Sequence, residues 1–244
     1  MRVLALDTTR RDGSIALVEH DRIVAEQAGD PSRTHAERLP QHILSLLDDR
    51  GIRTSDVDLF AVASGPGSFT GLRIGIATIQ GLAFVHRRRV AAVSALCALA
   101  QAASRHGEPG ALVGAWMDAQ RDEVFTAFYQ LAPHPPFDAR RLIELEAPAV
   151  GDPVETLARW AQLSGGEDVV FAGDGAIRYR DVIQSHWPSA VVVEPPLLAG
   201  TIGLMAVVQA VAGETVDPGA VRPLYVRRPD AELDRDKKAI TTWP

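Results

Sequence analysis

The sequence predicts an α/β protein of two lobes, each a mixed β-sheet flanked by helices, and three observations carry that reading. Short apolar runs that read as strands alternate with segments of helical period. The order of these elements begins again near the middle of the chain, after the polar stretch 105–110 with its two glycines and one proline. Each half opens with a strand that ends in an aspartate, Asp7 and Asp118. No literal repeat is visible, so the likeness of the halves lies in element order alone. At 244 residues the length fits one large domain or two modest ones, and at 46% hydrophobic the chain can bury a sizeable core.

In the first half, Arg2-Val3-Leu4-Ala5-Leu6 is a strand. Ser14-Ile15-Ala16-Leu17-Val18 follows it through a turn at Asp12-Gly13, and Ile23-Val24-Ala25-Glu26-Gln27 comes after His20-Asp21-Arg22. Such close spacing makes an antiparallel meander. The period then changes. Thr34 and Glu37 have the spacing of a capping box, Leu39, Ile43, Leu46 and Leu47 form an apolar helical face, and Pro40 is expected to kink the helix or shift its start. Leu59-Phe60-Ala61-Val62-Ala63 is a buried strand leading into Gly65-Pro66-Gly67. A helix over 70–84 follows, with Ser68 or Thr70 as cap and Leu72, Ile76, Ile79 and Ala83 on one face. A strand at 90–93 and a helix at 94–104 complete the half.

The second half reads as a strand at 111–117, a paired strand at 124–129, and a third at Leu142-Ile143-Glu144-Leu145. A helix at 152–163, a buried strand at 168–172 leading into Gly173-Asp174-Gly175, a strand at 191–193 and a helix at 198–212 follow. The expected domains are residues 1–104, a first, partner-binding lobe; 111–197, a second lobe; and 198–226, a helix and extended segment packing back on the first. Residues 227–244 are expected to form a charged, mobile tail.

The glycine turn fits neither standard phosphate code. No lysine precedes Lys237, which excludes the Walker form, and Gly65, Gly67 and Gly71 are spaced one residue too long for the dinucleotide form. A tight turn is the preferred reading. The helix after it holds Gly71, Gly75 and Gly81, each costing about 1 kcal/mol relative to alanine. Gly71 and Gly75 share a face, which suits close packing inside the chain or against a partner. Asp7 and Asp118 either orient a metal-bound phosphate or cap turns at strand ends. Gly65, Gly67, Gly173 and Asp174 are the other weak nucleotide-binding candidates.

The net charge of −6 argues against a surface that grips nucleic acid unaided. Arg87-Arg88-Arg89 reads as cations at a helix carbonyl end. Cys97, the single cysteine, reads as a buried small hydrophobe, and no thiolate metal cluster is possible. No leader and no apolar run of membrane-span length is read, so a cytoplasmic location without membrane attachment is expected. His35 and His42, seven apart, read as a solvated or partner-facing pair rather than a metal site.

Two sheet-and-helix lobes in this order resemble the actin, sugar-kinase and acetate-kinase superfamily. Within it, Leu4-Ala5-Leu6-Asp7-Thr8-Thr9, His35-Ala36-Glu37-Arg38-Leu39-Pro40 and the run from Gly65-Pro66-Gly67-Ser68-Phe69-Thr70 to Gly71-Leu72-Arg73-Ile74-Gly75 resemble the TsaB (YeaZ) family. So do Met117-Asp118-Ala119-Gln120, Gly173-Asp174-Gly175-Ala176 and Pro223-Leu224-Tyr225-Val226. The resemblance implies a non-catalytic subunit for making threonylcarbamoyladenosine beside the tRNA anticodon. Its implied partners are a catalytic paralogue of TsaD type and an ATPase of TsaE type, with tRNA reached through the complex and a homodimer as a further state. TsaD-like proteins hold their metal with a His-x-x-x-His pair, and Ala95 and Leu99 fall where those histidines would lie. No catalytic residue, metal or cofactor is therefore expected.

Two alternatives stand beside this reading. One is an ATP-binding phosphotransferase or ATPase, weakened because the first glycine after Asp7 is Gly13. The other is a metallopeptidase, weakened by the missing histidines. For the subunit reading, the partner interface is assigned to Phe69, Thr70, Gly71, Leu72, Arg73, Gly75, Ile76 and Ile79, with His35 and Leu39 beside them.

Overall fold

The computed structural model describes residues 1–105 and 107–227. His106 in the predicted boundary, and all of the predicted tail except Arg227, lie outside the described residues.

The first lobe comprises β1 (Arg2–Asp7), β2 (Ser14–Glu19), β3 (Arg22–Ala28), α1 (His35–Asp48), β4 (Leu59–Gly65), α2 (Phe69–His86), β5 (Arg89–Ser94) and α3 (Ala95–Ala103). Its strands lie in the order β3-β2-β1-β4-β5, with the meander antiparallel and β1, β4 and β5 parallel. The second lobe repeats this pattern. It comprises β6 (Leu112–Asp118), β7 (Val124–Leu131), β8 (Leu142–Gly151), α4 (Pro153–Leu163), β9 (Val169–Ala172), α5 (Asp174–Arg178), α6 (Arg180–His186) and β10 (Val191–Val193). Its order, β10-β9-β6-β7-β8, is the first lobe's order element for element.

Each central strand is buried on both faces because helices cover both. Leu4 and Leu6 of β1 pack with Ile43, Leu46, Ile76 and Ile79 of α1 and α2. Val3 and Ala5 face the other way, into a core shared with α3 and the second sheet. That shared core also takes α7 (Ala199–Ala212), which packs across the first sheet. Small residues permit its approach: a side chain on Gly203 would run into Val18. α7 has no side-chain cap of its own. Its first amides are met from the meander instead, Ala199 N donating to Ser14 Oγ and Gly200 N to the Glu26 carboxylate at 2.6 Å.

The second lobe is organised around Trp160. Its ring stacks on Phe128 with centroids 4.4 Å apart, meets Trp116 edge-on, and its Nε1 donates to Glu146. Gly114 in β6 makes the room, since a Cβ there would lie 2.6 Å from the Trp160 ring.

Several sequence expectations need revision. Pro40 does not shift the start of α1: Thr34 caps it with the full capping box to Glu37, and the helix runs on through Pro40 on its exposed side. β8 extends well past Leu145 to Gly151, since Pro148 is tolerated on a strand at the sheet edge. α5 and α6 were not legible, because a break at Tyr179 leaves neither long enough to display a helical period. Cys97 is half-buried, with its Sγ 3.3 Å from the Tyr129 hydroxyl.

Candidate functional site

The parallel strands β1, β4, β6 and β9 deliver their carboxyl ends to one place, a cleft of about 1500 Å³ lined by both lobes. Open α/β sheets bind ligands at such ends. Asp7 terminates β1 and accepts hydrogen bonds from Thr9 N (2.9 Å) and Thr9 Oγ1 (2.6 Å), capping the turn. Its Oδ2 is buried without a partner, and burial raises the carboxyl above its ordinary value. Asp118, the equivalent residue of the second lobe, accepts from Gln120 N and takes Arg178 Nη1 on both oxygens at 3.0 Å. Asp174 accepts from Asp118 N and Gly175 N, and burial raises it too.

The candidate phosphate-binding glycines are closed by the chain itself. The space beside Gly67 belongs to Thr9, that beside Gly173 to the Trp116 backbone, and a Cβ on Gly65 would lie 2.6 Å from Leu224 O. The turn also donates Ser68 N to Thr9 O at 2.8 Å. These glycines, several with left-handed backbone, serve close packing rather than an open cradle. Ser68, not Thr70, caps α2.

The shared face of α2 is likewise an internal one. A side chain on Gly71 or Gly75 would collide with the Thr8 carbonyl and hydroxyl respectively. Leu72, Ile76, Ile79 and Leu39 are core residues, and His35 is buried. These seven, assigned from the sequence to the partner interface, are buried within the chain in this structure, and for Gly71 and Gly75 the close packing is internal. Phe69, Thr70 and Arg73 are exposed, but they line the cleft. The outward side of α2 is instead formed by Ala77, Gly81, Phe84 (79% exposed) and Val85 (72% exposed), with no acidic, lysine or arginine side chain between Arg73 and Arg87.

His35 holds the cleft wall. Its Nε2–H donates to Arg10 O at 2.9 Å while Nδ1 accepts from Arg38 at 2.9 Å, and this network assigns a neutral ring. Arg38 also reaches the carbonyls of Arg11 and Asp12, fixing the turn after β1. Burial and the nearby Arg38 charge push His35 below its ordinary value. His42 takes a separate partner, Gln27 Oε1 at 3.1 Å, so the two histidines are not a pair.

Sequence reasoning missed the cleft's charge and its rings. Six arginines line it, Arg10, Arg11, Arg33, Arg73, Arg121 and Arg227, against three aspartates, Asp12, Asp118 and Asp174. Gln120, Arg121 and Asp122 sit at φ 59°, 56° and 58°. Three successive left-handed residues without a glycine cost about 1–2 kcal/mol each. The segment after the last helix crosses from lobe to lobe over this cleft. Leu224 N donates to Ser64 O, Tyr225 packs on Phe69 with centroids 5.1 Å apart, and Arg227 pairs with Glu123. The Arg10-Arg11 pair was the one readable signal; nothing local marks Tyr225 as its neighbour.

Two lobes of one topology, joined by a shared core and open at the strand ends, define a protein of the actin-like class. The fold of component A of (R)-2-hydroxyglutaryl-CoA dehydratase from Acidaminococcus fermentans is similar, with a TM-score of 0.52 at 13% identity over 86% of this chain and 99% of that one. The chain belongs to the TsaB (YeaZ) family of tRNA threonylcarbamoyladenosine biosynthesis proteins. It is 32% identical to TsaB of Bacillus subtilis strain 168 over 186 residues, 75% of this chain and 76% of that protein. YeaZ from Pseudomonas aeruginosa superposes with a TM-score of 0.72 at 33% identity, over 92% of this chain and 99% of that chain. Residues 23–186 match the model of the TsaD family, tRNA N6-adenosine threonylcarbamoyltransferase. Among the described residues, no helix is long and apolar enough to cross a membrane.

Proposed function

We propose that this chain is a non-catalytic cytoplasmic subunit of the machinery that threonylcarbamoylates the adenosine beside the tRNA anticodon. It docks on a TsaD-type catalytic paralogue, and a TsaE-type ATPase joins the pair. One observation carries this reading: the outward side of α2 is an apolar, uncharged stripe of Ala77, Gly81, Phe84 and Val85 on an otherwise charged molecule. α1 adds Leu44, 53% exposed. A paralogue built from the same elements offers an equivalent stripe, so the two pack as pseudo-symmetric helix pairs, and small residues at 77 and 81 let the helices approach. Without the paralogue, the same stripe pairs two copies of this chain.

The non-catalytic part of the reading is supported by α3, where Ala95 and Leu99 are buried apolar residues at the positions the resemblance assigns to metal-binding histidines. Among the described residues, no group of three or more His, Cys, Asp or Glu is arranged to hold a metal.

Phe84→Asp places a charge in the stripe without touching the core. It is expected to abolish co-purification with the TsaD-type paralogue and to stop chain-dependent tRNA modification, while the thermal transition stays within a few degrees of the parent. A complex that survives Phe84→Asp and Ala77→Arg together would put the interface elsewhere.

A further inference from the structure

The chain is acidic overall, yet arginine is concentrated on the cleft. Arg10, Arg33, Arg73 and Arg121 reach it from four separate segments: the turn after β1, the loop before α1, the first turns of α2 and the turn between β6 and β7. Arg10 has its Nε buried without a hydrogen bond, 3.7 Å from Asp12 Oδ1, and Asp118 is held by Arg178, so two of the three opposing aspartates are already paired. Arg121 belongs to the left-handed run 120–122, a costly conformation of the kind kept where a side chain must be presented.

Beside these arginines, two rings remain open to solvent. Phe69 is 37% exposed and Tyr225 38%. Arg73 orients both, its guanidinium 3.8 Å over the Phe69 ring and its Nε donating to the Tyr225 hydroxyl at 3.0 Å. Exposed rings next to arginines suit an unpaired nucleotide, whose base stacks while its phosphate pairs with guanidinium. The cleft, at about 1500 Å³, exceeds the roughly 300–1000 Å³ of a small-molecule site. With the glycine turns closed against a triphosphate, a strand fits it better than a mononucleotide.

The geometry points to direct RNA binding by the interlobe cleft: an unpaired stretch of RNA lies with its phosphates on Arg10, Arg33 and Arg121 and a base on the Phe69–Tyr225 pair. The choice of RNA rests on the proposed role in tRNA modification. It also amends the expectation from net charge, because binding responds to the local field rather than to the sum.

The test is fluorescence anisotropy of the full chain with a dye-labelled anticodon-arm RNA, a fully paired duplex of equal length, and adenosine monophosphate as competitor. The looped RNA is expected to bind better than the duplex. Tyr225→Ala should weaken it about fivefold to a hundredfold, with Tyr225→Phe close to the parent. Arg33→Gln and Arg121→Gln should each reduce the salt slope by about 0.7. Thermal melts of every variant verify the fold. Equal binding of duplex and loop, no binding, or no effect of these variants overturns the assignment. Displacement of the RNA by equimolar adenosine monophosphate overturns it in favour of a free nucleotide. Reconstituted modification separates the two levels. Activity that needs the chain but ignores the cleft variants sinks RNA binding alone, whereas activity without the chain sinks the subunit reading.

Discussion

The side chain that Gly75 lacks would occupy the place of the Thr8 hydroxyl. Helix α2 therefore lies directly on the end of the central strand, and Gly71 repeats the relationship one turn earlier against the Thr8 carbonyl. On the far side of the same helix, a Cβ on Gly81 meets nothing within 4 Å.

These glycines should respond in opposite directions. Gly75→Val is expected to cost about 1–3 kcal/mol or more through overpacking, whereas Gly81→Ala is expected to stabilise by about 1 kcal/mol through helix propensity. Denaturant unfolding of the two variants checks both. A Gly75 variant as stable as the parent would mean that the Thr8 turn can move away.

Glu26 caps α7 across 174 residues of sequence. Glu26→Ala should cost about 1 kcal/mol, the usual loss of a helix cap. Burial raises Glu26 above its ordinary 4.5, with the Gly200 amide opposing. The folded state thus favours the protonated acid, and stability from this group declines as pH rises from 4.5 through the raised value. Glu26→Gln keeps an acceptor without the buried charge, so it should cost less than alanine and remove that decline. Thermal melts across a pH series read both effects.

His35 acts with the opposite sign. Its ring is neutral and held below the ordinary 6.5, so the unfolded chain takes up the proton first. Stability from this group is full above pH 6.5 and falls as pH drops below it. His42 is lowered by burial as well and adds to the same slope. Between about pH 7.5 and 5.5, His35→Gln should melt lower than the parent at neutral pH but lose less on acidification. A parallel loss in both proteins would show that His35 does not report on the fold in this range.

In the second lobe, Gly114→Val should cost about 1–3 kcal/mol by displacing the Trp160 ring from its stack on Phe128. Altered tryptophan fluorescence of the folded variant checks the displacement. An unchanged spectrum would locate the strain in the β6 backbone.

Much of the fold was legible because it is written in local periods. The meander, the capping box at Thr34 and Glu37, and the apolar faces of α1 and α2 follow from spacing alone. The repeat of element order proved to be a repeat of sheet topology. The site was far less legible. Gly71, Gly75 and Gly81 have the same local cost in a helix, and only their surroundings distinguish two packed against Thr8 from one open to solvent.

The amino-acid sequence by itself determined most of the strands, the long helices, the two-lobe architecture and the family, since each rests on residues near one another or on a motif read in order. Tertiary structure decided which face of α2 is inside, that His35 serves a turn rather than the surface, and that arginines from four segments meet Phe69 and Tyr225 at one cleft. Residues 69 and 225 are neighbours only because the last segment crosses both lobes, and nothing local in a chain records such a meeting.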